Sequence, residues 1–187
     1  MPINNACKAG VLFRLGLVTL HQSSTAEPSF SHFTHCLEAK TQLGEDLTVA
    51  LDAIALEYAK HQLIPVAIQF HQQSLEIKLQ RGNPNELSEA FYVLGKAFSS
   101  LEQFEKAQAA YEEAIKQSRP LSLTEQLVPS LCELGSTRFK LGKTREAIEL
   151  FSECIATGGP EFSSVKHRAC EEKALAHTSL GEKLKPN

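Results

Sequence analysis

Residues 88–120 read SEAFYVLGKAFSSLEQFEKAQAAYEEAIKQSRP, and the spacing within this stretch decides the fold. Phe91, Leu94, Gly95 and Phe98 recur every three or four residues, which puts them on one face of a helix; Ala107, Tyr111 and Ala114 do the same on a second. Where the two axes approach, Gly95 and Ala107 present no bulk, so Leu94, Phe98 and Tyr111 interdigitate around them. Ser99 to Gln103 turns the chain between the helices, and Pro120, lacking an amide donor, ends the second. The stretch is a helical hairpin.

The hairpin recurs. Forty residues after Gly95, the run LCELGSTRFKLGKTREAIELFSECI sets Leu131, Leu134, Gly135, Ala147, Phe151 and Cys154 where Phe91, Leu94, Gly95, Ala107, Tyr111 and Ala114 stood. Forty residues before it, Leu51, Ile54, Ala55, Tyr58 and Ala67 repeat the pattern, with the more polar His71 and Ser74 following. A looser copy carries Leu12, Leu15 and Gly16, then Ser29, Phe33 and Cys36, and the run KALAHTSLGE begins a last half-unit with Ala174 near its small site. About four and a half units exceed the roughly three that such stacks need. The expected organisation is one domain over residues 1–187, with hairpins at about 5–40, 46–80, 85–118 and 123–157 and a capping helix at 163–184.

Local signals set the boundaries. RGNPNE joins a helix-ending Gly82 to a capping Asn83, Pro84 at the first helical position and Glu86 three residues after the cap. Asn4 or Asn5 can cap the first helix, Asp46 opens the third and Pro65 sits in the first turn of the fourth. Ser122 and Glu125 form an S-x-x-E box, with Pro129 either kinking that helix or delaying its start; Ser163 or Ser164 caps the last helix.

This pattern resembles the tetratricopeptide repeat (TPR) family over essentially the whole chain, most strongly from Leu51 to Cys154. The forty-residue spacing and LEIKLQRGNPNELSEAFYVLG are similar to the longer-repeat branch that includes kinesin light chains and LGN-type adaptors. The resemblance implies an all-α, right-handed superhelix of about four hairpins plus a capping helix, whose first helices line a groove for a partner's peptide or helix.

Helical spacing names the residues that would face such a groove: Gly10, Phe13, Arg14, Leu17 and Leu20 in the first unit, and Val49, Asp52, Leu56, Ala59 and Lys60 in the second. The third offers Glu89, Tyr92, Lys96, Ser99 and Ser100, and the fourth Cys132, Glu133, Ser136, Phe139 and Lys140. Phe13, Leu17, Leu56, Tyr92 and Phe139 among Arg14, Lys60, Lys96 and Lys140 suit a protein segment with apolar anchors and acidic flanks. An aromatic here can equally pack against the next repeat, and a lysine can simply be solvated. Phe13, Leu17 and Ala53 occupy the positions where the family's carboxylate clamp would begin, which argues against a chaperone tail as ligand.

The composition, 42% hydrophobic and 22% charged, is that of an ordinary soluble globular protein. No apolar run reaches the roughly eighteen residues of a membrane span, and Arg14 interrupts the leader-like run Ala9 to Leu20. A net charge of −3 lacks the basic excess that nucleic-acid binding needs. Five cysteines without CxxC spacing point to unpaired thiols in a reducing, cytoplasmic setting, with Cys36 and Cys154 at core sites. His32, His35 and Cys36 share one helix face and are the best metal-ligating set, but no fourth ligand is spaced to join them, so no metal or cofactor is implied. Glycine-rich phosphate loops and nucleophile elbows are missing. The expected function is therefore a non-catalytic adaptor. The rival is a scaffold that dimerises through an unfinished amino-terminal edge exposing Leu12, Phe13 and Leu17, so the chain is a monomer or weak homodimer; a metal-dependent enzyme comes third.

Overall fold

The computed structural model describes residues 5–23 and 25–181. Among these are nine α-helices, two single-turn 3-10 segments and no strand. They group into two compact units, Met1–Arg81 and Gly82–Asn187.

The first unit holds α1 (Asn5–Gln22), α2 (Glu27–Gln42), α3 (Thr48–Lys60) and α4 (Ile64–Arg81). Its core joins Leu20 and Phe33 to Leu51, Ile54, Tyr58, Ala67 and Phe70. The rings run in a chain: Phe13 to Phe33, Phe33 to Tyr58, and Tyr58 stacked on Phe70, each pair with centroids 5.6 Å apart. Tyr58 is fully buried, and its hydroxyl meets Ser29 Oγ at 3.0 Å, so the polar tip enters the core without leaving a hydrogen bond unmade.

The second unit holds α5 (Pro84–Ser100), α6 (Phe104–Ser118), α7 (Thr124–Lys140), α8 (Thr144–Thr157) and α9 (Ser163–Ser179). Tyr111, Leu127, Val128, Leu131, Leu134 and Phe151 form its core, and Ala169 of α9 packs onto it. In this unit α5 starts as the sequence predicts: Asn83 Oδ1 accepts from the Asn85 amide at 3.1 Å, Asn83 Nδ2 donates to Glu86 Oε1 at 3.1 Å, and Pro84 opens the helix.

Three helix pairs cross on a glycine. A Cβ added at Gly16, Gly95 or Gly135 would lie 2.5, 2.5 or 2.7 Å from a ring carbon of Phe33, Tyr111 or Phe151 respectively. The fourth pair departs consistently, for where the aromatic ring becomes His71 the glycine becomes Ala55, which is fully buried. The hairpin turns repeat as strictly. Gln62, Glu102 and Gly142, forty residues apart, all adopt left-handed backbone with φ of 61°, 58° and 77°. Each turn closes with two amide bonds: Gln62 to Ala59 O and Leu63 to Tyr58 O, Glu102 to Ser99 O and Gln103 to Phe98 O, Gly142 to Phe139 O and Lys143 to Arg138 O. That is the bonding of a left-handed helix stop, which only Gly142 meets without steric cost.

Several predicted helix starts differ. α3 begins at Thr48, because the Asp46 carboxylate accepts from the Thr48 amide at 2.9 Å and its hydroxyl at 2.8 Å from outside the helix. The Ser122–Glu125 box does not form: Ser122 is left-handed with φ 52°, Leu123 stands in the cap position, and α7 runs through Pro129. Phe162 occupies the cap position of α9 with no side-chain cap, and that helix ends at Ser179; Asn4 and Leu184 lie outside the described residues.

Candidate functional site

In the first unit, α1 and α3 enclose an open cleft of about 400 Å³ with a small-residue floor of Ala9, Gly10, Ala50 and Ala53. Phe13 forms a wall, half-buried against Phe33, while Arg14, Lys40 and Asp46 stand at the rim. Lys40 is paired with Glu45 at 2.5 Å and Asp46 with Arg81 at 2.6 Å. The Arg81 guanidinium, helped by the Thr48 amide and hydroxyl, holds the Asp46 carboxyl well below the usual carboxylate range. Two of the three rim charges are thus neutralised from within, whereas exposed Arg14 has no ion-pair partner among the described residues. The free charge of the cleft is positive.

Along α3, Val49 and Leu56 are 73% and 53% exposed. Between them Asp52 turns to α4, where its carboxylate accepts from Lys78 Nζ at 2.7 Å and faces His71 Nδ1 at 3.4 Å. Burial pushes the Asp52 carboxyl up, but the hydrogen bonds from His71 and Lys78 outweigh it and hold it below its ordinary value. A depressed carboxyl contributes stability that is complete above the unfolded pKa, about 4, and is lost as pH falls through the folded value. The native chain will therefore lose more unfolding free energy between about pH 5 and pH 2 than Asp52→Asn does, read by urea denaturation at successive pH values. Parallel losses in the two proteins would remove this ion cluster from the stability account.

The other predicted groove residues fall into different settings. Leu17 is half-buried against the first unit's core and Leu20 is fully buried, so Leu20 faces no groove. Lys60 is exposed and 2.7 Å from Glu57. In the second unit the Tyr92 ring is half-buried with Lys96 Nζ 5.5 Å above it. Phe139 packs against the core, and Lys140 lies 5.1 Å over the Phe104 ring. α9 adds Arg168, which bridges Glu133 of α7 at 2.6 Å, and Glu172, which accepts from Ser136. Burial, then the Glu133 charge, push the hydroxyls of Tyr92 and Tyr111 up, so both phenols stay protonated. Sequence alone sets Arg168 and Glu172 on a polar outer face of the capping helix; instead both meet α7, a pairing hidden because a final half-unit has no following copy to align with.

Two sequence expectations change here. Cys132 is 1% exposed and disulfide-bonded to Cys154, joining α7 to α8, so it is neither a groove residue nor an unpaired thiol. Leu12, Phe13 and Leu17 do not form an exposed edge; they pack inward, and the exposed apolar residues of α1 are Val11, Leu15 and Val18. Cys36 is fully buried beside Ala9 and Ala39, turned into the core rather than toward a shared site with exposed His35.

No helix among the described residues is long and apolar enough to cross a membrane. Among curated proteins none matches the chain. The tetratricopeptide repeat model matches residues 88–120 and 128–156. Solved structures with a similar fold include aspartyl phosphate phosphatase F from Bacillus subtilis, at 16% identity and TM-score 0.69 over 95% of this chain and 47% of that one. A putative kinesin light chain with TPR-like repeats from Podosopora anserina aligns at 15% identity and TM-score 0.66 over 97% of this chain and 90% of that one. MamA aligns at 20% identity and TM-score 0.59 over 82% and 81%. The chain spans about half the length of the phosphatase. Residues 88–120 and 128–156 thus carry two tetratricopeptide repeats, and the helical hairpins of the chain share the fold of TPR-like structures.

Proposed function

We propose that the chain is a non-catalytic interaction module that holds a segment of a partner protein on the faces of its first helices. The observation that carries this is the α1/α3 cleft, where a floor of small side chains lets another backbone approach and Phe13 offers an apolar wall. Arg14, the unpaired charge at its rim, favours acidic residues flanking the partner's apolar anchor. Tyr92 with Lys96 above it presents a similar aromatic-and-cation surface on the second unit.

Gly10→Leu gives the cleanest test. Nothing lies within 4 Å of a Cβ added there, so a larger side chain starts into open space beside the cleft and replaces a helix-weakening glycine. Proteins captured by the native chain should be recovered at least tenfold less by Gly10→Leu, with the unfolding midpoint unchanged or raised. A second variant, Tyr92→Ala with Lys96→Glu and Phe139→Ala, asks the same of the second unit. Unchanged capture by both would move binding off the first helices.

A further inference from the structure

The outward face of α1 is a second, separate surface. Val11, Leu15 and Val18 stand 51%, 43% and 50% exposed, and their four-then-three spacing makes them one stripe along the helix. Aligning Gly16 with Ala55 puts Val11 and Leu15 on Ala50 and Ile54 of α3, which are 8% and 0% exposed. Aligning it with Gly135 puts the three on Ser130, Leu134 and Thr137 of α7, at 0%, 2% and 1%. In those helices the position joins a buried cluster with the preceding second helix: Ile54 with Phe33 of α2, and Leu134 with Tyr111 and Ile115 of α6. The α6–α7 contact also carries an ion pair, Arg138 Nη2 to Glu112 Oε1 at 2.8 Å, with the cation on the first helix and the anion on the second.

We propose that this stripe on α1 is a docking seat for an amphipathic helix of another protein, apolar at three-and-four spacing and flanked by Glu or Asp. Charge selects that occupant. The helix Asn5–Gln22 contains no acidic residue, and Lys8 and Arg14 fall on opposite sides of the stripe by helical spacing, placed to meet acidic flanks as Arg138 meets Glu112. A second copy fits less well, because antiparallel pairing of two α1 stripes brings Arg14 against its own counterpart. A stripe three side chains long covers less than the roughly 1,000 Å² of a permanent interface, so the docking is transient. It shares Arg14 with the rim of the cleft but not Leu15, which lies outside the cleft's lining and so separates the two surfaces.

The probe is a fluorescein-labelled, stapled helix with the sequence of residues 104–118, the segment that fills the equivalent seat on α7, titrated with the full chain and followed by anisotropy. The native chain is expected to bind it saturably. Leu15→Glu should weaken binding at least tenfold and Arg14→Glu at least threefold, while Leu121→Glu, at a more exposed leucine on the second unit, leaves it unchanged. Because Leu15 is exposed, its variant should keep the native unfolding midpoint. Absence of saturable binding, or equal binding by Leu15→Glu, overturns the proposal. So does a native dimer in sedimentation equilibrium that Leu15→Glu converts to monomer, since the occupant is then a second copy.

Discussion

Replacing Cys154 with alanine will lower the unfolding free energy of the oxidised chain by about 3 kcal/mol. The bond to Cys132 spans 22 residues, and a cross-link over a loop of that length removes about that much free energy's worth of freedom from the unfolded chain. Alanine isolates the effect, because the equivalent position in the preceding hairpin is Ala114, itself fully buried, and the fold accepts that side chain there. Excess dithiothreitol should bring the native chain to nearly the midpoint of Cys154→Ala and leave the variant unmoved. A native midpoint that ignores the reductant under conditions where free-thiol assay finds the pair reduced would show that the link carries no stability.

Gly135→Val is the second large effect, a loss of about 3 kcal/mol in urea unfolding. Its Cβ alone would sit 2.7 and 2.8 Å from two carbons of the Phe151 ring, and the two γ-methyls need further room in a core where Phe151 is fully buried. The gain in helix propensity on leaving glycine, below about 1 kcal/mol, offsets little of this. Gly10 marks the contrast: with open space beside it, Gly10→Ala should stabilise by about 0.5–1 kcal/mol. Equal behaviour of the two glycines would mean that the crossing at Gly135 is looser than its geometry.

Much of this was legible before any coordinates. α5 was readable to the residue because helix stop, cap, proline and acidic partner coincide in RGNPNE, each satisfying a backbone need locally. The box at Ser122 and the cap at Ser163 or Ser164 had the right letters but not the backbone: Ser122 is spent on the left-handed turn, and Phe162 takes the cap position before α9. The turn from Ser99 to Gln103 is legible, but not the left-handed backbone of Glu102 within it or of Gln62 forty residues earlier, since nothing in their chemistry favours positive φ; only their registry with Gly142 exposes it. Leu15 looked like core because its counterparts Ile54 and Leu134 are core. Equivalence along a repeat predicts what a residue is shaped to touch, and no preceding second helix covers α1 among the described residues.

The candidate site was half legible for a similar reason. Phe13 and Arg14 were found by helical spacing, but the cleft beside them is made by what is small, and Ala50 and Ala53 carry no signal of their own. Asp52 was assigned to the groove, and its actual engagement with Lys78 required knowing that α4 turns a lysine inward, where that residue is 7% exposed. The Cys132–Cys154 pair could not be read from spacing, since 22 residues and a helix turn separate the two thiols until α7 and α8 fold together.

Three of the four hairpins nest with a glycine under an aromatic ring. A double-mutant cycle at Gly95 and Tyr111 tests that directly: with the native tyrosine, Gly95→Ala should cost about 2 kcal/mol, because its Cβ falls 2.5 Å from the ring. In a Tyr111→Leu background the same change should cost less than about 0.5 kcal/mol, a coupling of more than 1 kcal/mol between the two sites. Additive losses, with Gly95→Ala equally costly whether or not the ring is present, would contradict it.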